Sequence, residues 1–165
     1  ELDGSINSTT YGESIKRSKK LANALKKLGV NVHDRVATIA WNNSRHFETY
    51  FAVSGMGAIL HTLNPRYSPD QLIYILNHAE DSVLIVDPTF IPLVESVQDK
   101  LDTIETIIIA SAKDSIPKNN LKNVFSYEEL LKDELDEYNW PQLNENDAAS
   151  LCYTSGTTGN PKGVL

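Results

Sequence analysis

The residues best suited to chemistry lie in a short loop near the end of the sequence, from Tyr153 to Gly163. This loop contains three glycines, four Ser/Thr hydroxyls and one lysine, directly after an apolar run. Glycines remove the Cβ atoms that would hold the backbone away from an anion, and they reach positive φ at little cost. Backbone N–H groups and hydroxyls can then donate to several phosphate oxygens at once. The loop therefore predicts a binding site for the phosphates of a nucleotide such as ATP.

The loop differs from the P-loop of nucleotide hydrolases, in which Gly-Lys-Ser/Thr leads straight into a helix. Here Lys162 follows Pro161 and precedes Gly163, and the apolar end 164–165 predicts that the chain turns into another strand. A flexible surface turn rich in small residues is the alternative, but it would not need this order of residues. The candidate phosphate contacts are Thr154, Ser155, Gly156, Thr157, Thr158, Gly159 and Lys162.

The elements that position this loop alternate between helical patterns and short apolar runs. Thr10 with Glu13, and Ser68 with Gln71, have the spacing of capping boxes, and Gly29 is a helix stop signal. Predicted strands are 36–41, 82–86, 106–110 and 151–153, with predicted helices before 29, at about 44–57, after 68, at about 90–101 and after 126. This rhythm predicts an α/β fold, a layered parallel sheet with flanking helices joined by right-handed crossovers.

Several side chains carry a specific expectation of burial or exposure. We predict that Ile15 shares the apolar face of the first helix, and that Cys152 is a buried structural thiol rather than a nucleophile. Glu80 and Asp81 are predicted to form a solvated helix end. The aromatic residues Phe47, Tyr50 and Phe51 are predicted to lie in the core rather than in a ligand tunnel.

Composition restricts the class of protein. The 165 residues carry a net charge of −7, which argues against a nucleic-acid binder, because such a protein needs a basic face. One cysteine excludes an internal disulfide and fits a reducing compartment, so a cytoplasmic location is expected. No stretch approaches the roughly 20 apolar residues that span a bilayer.

The remaining polar candidates give weaker signals. Histidines 33, 46, 61 and 78 lack the spacing of metal ligands, and structural roles are expected for them. Arg66 follows Asn64-Pro65 and is a candidate for an ion pair with a carboxylate, either across a domain or subunit boundary or as an ordinary pair.

Residues 153–163 resemble the phosphate-loop signature of the adenylate-forming superfamily, which contains acyl-CoA synthetases, luciferases and peptide-synthetase adenylation domains. They match every position of the core pattern Thr-Ser-Gly-Thr-Thr-Gly-x-Pro-Lys-Gly. Residues 61–66 (HTLNPR) and 73–81 (IYILNHAED) look like the medium- and long-chain fatty-acid–CoA ligase branch, as do 29–30, 34–37 and 41–42. One departure is His33, at a turn position where the family often has glycine; a tolerated turn substitution is expected.

This resemblance implies a ligase that joins a carboxylic acid, expected to be a fatty acid, to AMP with release of pyrophosphate and then to coenzyme A. It implies ATP, Mg²⁺ and coenzyme A as cofactors and co-substrates, with no nucleic-acid partner and a homodimer as the expected assembly. Within the loop, Lys162 would supply a mobile catalytic charge, residues 154–162 would hold the pyrophosphate, and Thr154 would contact the metal.

The resemblance also bears on domain organisation. Residues 1–165 are expected to be part of the large N-terminal AMP-binding domain, with the rest of that domain and a small C-terminal domain absent. The sequence begins without Met and stops just after the loop, and as an isolated piece it is expected to be inactive. Alternatives are a ligase for a short or sulfur-substituted acid and a non-catalytic nucleotide-binding relative. Residues 64–66 and 77–81 argue against an amino-acid adenylation domain or a luciferase.

Overall fold

The computed structural model describes residues 6–154 and 160–165. The strands are β1 (Arg35–Ile39), β2 (Ile59–Thr62), β3 (Val83–Val86), β4 (Thr106–Ile109), β5 (Val124–Ser126), β6 (Ser150–Thr154) and β7 (Lys162–Val164). The helices are α1 (Tyr11–Lys27), α2 (Ser44–Gly55), α3 (Pro69–Ala79), α4 (Ile91–Val97) and α5 (Tyr127–Lys132). Within these ranges the strands form one seven-stranded sheet in the order β5-β4-β3-β1-β2-β6-β7.

Neighbouring strands pair in parallel except β6 and β7, which are antiparallel. The chain passes from β1 to β2 on one side and then returns across β1 to β3 on the other. This reversal makes β1 the topological switch point, the place where open α/β sheets bind ligands at the carboxyl ends of their strands. The α/β fold with a parallel sheet and flanking helices is confirmed.

Alternate residues of the central strands face two separate cores. Val36 and Val83 pack with α1, α2 and α5 on one face of the sheet, whereas Ala37 and Leu84 pack with α3 and α4 on the other. These four side chains are almost completely buried. A strand covered on both faces is continuously apolar, which explains why β1 and β3 are readable in the sequence as short apolar runs.

The helix start signals act as the sequence predicts. The Thr10 hydroxyl accepts a hydrogen bond from the Glu13 N–H at 3.2 Å. Ser68 and Gln71 form a complete capping box, each side chain accepting from the backbone N–H of the other. Gly29 follows α1 at a φ of +94°, a conformation that glycine adopts without strain.

The aromatic face predicted for α2 is wrong. Phe47, Tyr50 and Phe51 are 38–52% exposed, and the face that packs on the sheet is instead built around Ala52 and Val53. Helical spacing alone does not specify which face of α2 meets the sheet, and the buried face also carries His46, Glu48 and Thr49. Ile15 on α1 is also half exposed, which contradicts its predicted place on the buried face.

Cys152 is exposed, so the predicted buried thiol is wrong. It alternates along β6 with Leu151, which is the residue that packs inward beside Ile59 and Ala79. A run that is apolar in composition can still place one face of a strand outside the core, because side chains alternate.

The distal part of the chain departs from the sequence expectation in two details. The predicted helix at 90–101 is α4 flanked by 3₁₀ turns at Pro88–Phe90 and Gln98–Lys100. The polar segment after β4 contains a 3₁₀ turn and then β5, a strand that the sequence reading missed because it is only three residues long. The segment 133–149 crosses the surface, and the ring of Trp140 lies directly over Gly55.

Candidate functional site

The β6–β7 hairpin carries the two ends of the predicted phosphate loop. Thr154 is the last residue of β6 and Lys162 the first residue of β7, and they lie opposite each other in the antiparallel register. Directly opposed residues have Cβ atoms about 5 Å apart on the same face of the pair. The loop therefore begins at a hydroxyl and ends at a neighbouring ammonium group.

Thr154 and Lys162 are both exposed. Within the described residues, Lys162 has no carboxylate at ion-pair distance, so its charge is available to an anionic ligand. The other predicted contacts, Ser155, Gly156, Thr157, Thr158 and Gly159, lie outside the described residues.

The hairpin extends from the edge of the sheet at which parallel α/β folds bind ligands. Because β1, β2 and β6 are parallel, their carboxyl ends meet at this edge. A cavity of about 690 Å³ opens at the same edge, where β1, β3 and β4 end. Its lining includes Trp41, Asn42, Asp87 and Ser111. Two strand spacings, roughly 10 Å, separate β1 from β6.

Asp81 is fully buried, so the predicted solvated helix end is wrong for this residue, although Glu80 is exposed. The Asp81 carboxylate lies 2.7 Å from Nδ1 of His61, which is also fully buried on β2. Burial raises the pKa of Asp81, and the hydrogen bond from His61 and the charge of Arg35 oppose that rise only in part. Helix α3 ends at a left-handed Glu80, and this sharp turn directs the next residue into the protein.

Tyr153, next to Thr154, connects the hairpin to these buried groups. Its ring lies 5.2 Å from the ring of His61, and its hydroxyl lies 2.6 Å from Nδ1 of His78 on α3. Its backbone carbonyl accepts a hydrogen bond from the Tyr67 hydroxyl at 3.2 Å. The sequence reading missed this cluster. No local signal in the sequence identifies it, because the contacts depend on the position of β6 beside β2 in the sheet.

The remaining polar candidates have structural surroundings. His33 adopts a φ of +72°, a left-handed conformation that suits glycine. Histidine adopts this conformation more readily than most other residues. His46 is buried, with Nε2 at 3.1 Å from the Thr38 hydroxyl, and burial lowers the pKa of His46. Arg66 is exposed, and no carboxylate in the described ranges pairs with it.

The described residues hold no cluster of three or more His, Cys, Asp or Glu side chains that could bind a metal by itself. Thr154 offers a single exposed hydroxyl at the carboxyl edge. Mg²⁺ keeps several of its waters and binds nucleotides through their phosphates with few protein oxygens, so this donor set fits it. In the same part of the chain, no helix has the length and apolarity that crossing a membrane requires.

Together the fold and the hairpin define an α/β domain in which the phosphate loop joins two strands instead of a strand and a helix. The chain belongs to the AMP-binding enzyme family, whose model matches residues 2–165. The adenylate-forming superfamily suggested by residues 153–163 is thus confirmed.

Curated relatives narrow the family to coenzyme A ligases. The chain is 44% identical over its full length to a 3-methylmercaptopropionyl-CoA ligase of Ruegeria lacuscaerulensis, of which it covers 31%. It is 45% identical over its full length to a medium-chain-fatty-acid–CoA ligase of Ectopseudomonas oleovorans, of which it covers 30%. The chain therefore spans about three tenths of these relatives, and the predicted fatty-acid–CoA ligase branch is confirmed.

A solved structure shares the fold. The anthranilate CoA ligase AuaEII in complex with anthranoyl-AMP superposes with a TM-score of 0.86 at 28% identity. The match covers 96% of this chain and 29% of that protein.

Proposed function

We propose that a full-length protein carrying this chain is an ATP-dependent acyl-CoA ligase, and that residues 1–165 form the front part of its large AMP-binding domain. The observation that carries the proposal is the opposition of Thr154 and Lys162 at the base of the loop, at the carboxyl edge of the sheet. A loop with this order of residues, in a chain that matches the AMP-binding family from residue 2 to 165, favours nucleotide phosphates as its ligand.

The reaction has two steps. A carboxylate oxygen attacks the α-phosphorus of ATP, the bond to the bridging oxygen of pyrophosphate breaks, and an acyl-adenylate and pyrophosphate result. The thiol of coenzyme A then attacks the acyl carbon; AMP leaves with the bonding electron pair, and the thiol proton passes to solvent. The first step gathers negative charge on the departing pyrophosphate, so groups that stabilise that charge accelerate it.

In this scheme the ammonium of Lys162 and the hydroxyl of Thr154 contact the pyrophosphate portion of ATP. The exposed Lys162 ammonium would stabilise the negative charge that develops on the bridging oxygen as this oxygen departs with pyrophosphate. Thr154 also offers the oxygen that would hold Mg²⁺, which when bound would neutralise phosphate charge. The antiparallel pairing fixes the two ends of the loop, and such pre-organisation lowers the cost of binding a charged ligand.

The proposed substrate is a fatty acid, with a short sulfur-substituted acid as the second candidate. Relatives named for each chemistry are almost equally similar to the chain, at 45% and 44% identity. Comparison of acids is therefore the direct route to the substrate.

The test is carboxylate-dependent pyrophosphate release from ATP by the full-length protein, with fatty acids from short to long and with 3-(methylthio)propanoate. We expect release that requires an acid, and a thioester when coenzyme A is added, with the highest kcat/KM for a fatty acid. A higher kcat/KM for the thioether acid would favour the second candidate. ATP binding with no release for any acid would contradict the ligase proposal and favour a non-catalytic nucleotide binder. The 165-residue chain alone is expected to form no thioester.

A further inference from the structure

The position of Thr154 depends on side chains rather than on the main sheet. Strand β6 pairs with β2 only at Ser150 and Leu151, so this ladder ends before Tyr153. Beyond that point, among residues 6–154 and 160–165, the backbone of β6 pairs only with β7, a three-residue strand that is exposed throughout. The part of β6 that leads into the phosphate loop therefore lacks a ladder to the buried sheet.

Three contacts to Tyr153 take the place of that ladder. The hydroxyl of Tyr67 donates to the Tyr153 carbonyl at 3.2 Å, and Nδ1 of His78 lies 2.6 Å from the Tyr153 hydroxyl. The buried His61 ring, 5.2 Å away, supports the Tyr153 ring, and His61 is itself held by Asp81. We call Tyr153 with Tyr67, His78 and His61 the Tyr153 clamp.

The antiparallel partner of Tyr153 is a glycine, which leaves room for the tyrosine ring. Gly163 lies opposite Tyr153, and a Cβ at that position would lie 3.2 Å from two atoms of the tyrosine ring. Glycine therefore lets the ring lie against the backbone of β7. The clamp thus contacts the strands on both sides of the loop, immediately next to Thr154 and Lys162.

We propose that His78 and Tyr67 are positioning residues for the phosphate loop, acting through Tyr153 to hold Thr154 and Lys162 in place for the phosphates of ATP. This inference rests on the proposed function. Neither residue touches ATP in this scheme; each restrains the backbone or the ring of the residue that precedes Thr154. Because α3 carries His78 and begins with a complete capping box, the clamp is anchored on a rigid element.

The test uses the full-length protein and ATP–pyrophosphate exchange, with Tyr153→Phe, His78→Ala and Tyr67→Phe. Tyr153→Phe and Tyr67→Phe each remove one hydrogen bond, and His78→Ala also removes the contacts of the His78 ring with Tyr74 and Tyr153. For each variant we expect kcat/KM for ATP to fall about three- to tenfold. The KM for the carboxylic acid should not change. Tyr11→Phe is the matched control, because Tyr11 is 80% exposed and its hydroxyl has no hydrogen-bond partner in the described ranges.

Two further variants separate positioning from general loss of structure. His78→Asn puts an amide near the place of Nδ1 and should restore kcat/KM to within about twofold of wild type. The double variant Tyr153→Phe with His78→Ala should lose no more than His78→Ala alone, since that change already removes the bond that Tyr153→Phe removes. Wild-type kcat/KM for ATP in Tyr153→Phe and His78→Ala would overturn the proposal, as would full additivity of the two losses.

The failure of this proposal is distinguishable from failure of the proposed function. If the wild-type protein binds ATP but exchanges no pyrophosphate with any acid, the ligase proposal fails and ATP affinity, measured by calorimetry, becomes the readout. An ATP affinity about three- to tenfold weaker in Tyr153→Phe would then support the positioning role of the clamp, and an unchanged affinity would overturn it. Absence of ATP binding by the wild type would overturn both.

Discussion

Two polar clusters of this domain differ in how completely their buried polar groups are hydrogen-bonded. The first, the ion network, lies between α1, α2 and α5 and consists of Arg17, Arg45, Glu48, Tyr127 and Glu128. Arg17 donates to Glu48 at 2.8 Å and to both oxygens of Glu128 at 3.0 Å. Arg45 donates to Glu128, and the buried Tyr127 hydroxyl donates to Glu48, each at 2.8 Å. Every carboxylate oxygen of this network has a partner.

The Tyr153 clamp lies across the sheet beside the phosphate loop, and its surroundings are less complete. Among the described residues, Nε2 of His61 and Oδ1 of Asp81 are buried without a hydrogen-bond partner. Thr154 and Lys162, which the clamp positions, are exposed. A satisfied buried network stabilises one arrangement of helices, whereas unsatisfied buried groups are tolerated where a site requires them. The comparison assigns stability to the ion network and function to the clamp.

The largest effect is expected for Glu48→Ala. Glu48 is 1% exposed and accepts from both Arg17 and Tyr127. Its removal leaves the buried Tyr127 hydroxyl without this acceptor and leaves Glu128 as the remaining carboxylate partner of Arg17. Loss of one member of a buried ion pair costs about 3 kcal/mol. Hydrogen exchange of the full-length protein should show protected amides of α1, α2 and α5 exchanging roughly 100-fold faster.

Asp136→Ala is the control for this prediction. Asp136 pairs with Lys16 of α1, their side chains are 50% and 58% exposed, and such pairs contribute about 1 kcal/mol or less. Equal exchange in Glu48→Ala and Asp136→Ala would show that the ion network does not hold these helices together.

A smaller loss of folding stability is expected at low pH. Burial raises the pKa of Glu128, but hydrogen bonds and charges from Arg17 and Arg45 outweigh it and hold the pKa below its ordinary value of 4.5. A carboxyl with a depressed pKa in the folded state adds stability that is fully present above the unfolded pKa. That stability is lost as pH falls through the folded pKa. Thermal unfolding against pH should therefore show a loss below about pH 4.5.

Glu128→Gln removes the titrating group from this region. Its midpoint of unfolding should be lower than that of wild type at pH 7, and the difference should shrink as the pH falls below 4.5. A difference that stays constant with pH would mean that the charge of Glu128 is not what the arginines stabilise.

The smallest effect on stability is expected for Asp81→Asn. Burial raises the pKa of Asp81, so its charge opposes folding, and the corresponding stability is lost as pH rises. Asparagine keeps the shape and removes the charge. Its free energy of unfolding at pH 7 should stay within about 1 kcal/mol of wild type or exceed it. A loss of unfolding free energy as large as that expected for Glu48→Ala would show that the Asp81–His61 pair stabilises the fold as the ion network does.

Much of the fold could be predicted from the sequence because its two signals, the apolar runs of the strands and the helix caps, depend only on neighbouring residues. The apolar runs of β1 and β3 reflect burial on two faces, and the caps at Thr10 and Ser68 need only residues within one turn. The ends of the phosphate loop were predicted for a similar reason: the chemistry of an anion-binding loop is contained in consecutive residues. Pro161 and the apolar residues after it predicted a further strand, whereas its antiparallel pairing with β6 was not predicted.

The contacts that support the loop could not be predicted in the same way. Asp81 reaches His61 from 20 residues away, and His78 reaches Tyr153 from 75 residues away. Such pairs depend on strand order and on the turn at Glu80, which no local pattern specifies. The error at Phe47 has a related cause, because helical spacing defines a face but not which face meets the sheet.

The central claim is that the base of the β6–β7 hairpin is where ATP phosphates bind. The most direct measurement is ATP–pyrophosphate exchange by the full-length protein with Lys162→Ala, compared with Lys118→Ala. Lys118 is an exposed lysine in the segment before β5, at the opposite edge of the sheet. We expect at least a roughly 100-fold lower rate for Lys162→Ala, the loss typical of a missing charge-stabilising donor, and a wild-type rate for Lys118→Ala. Equal rates for the two variants would contradict the account.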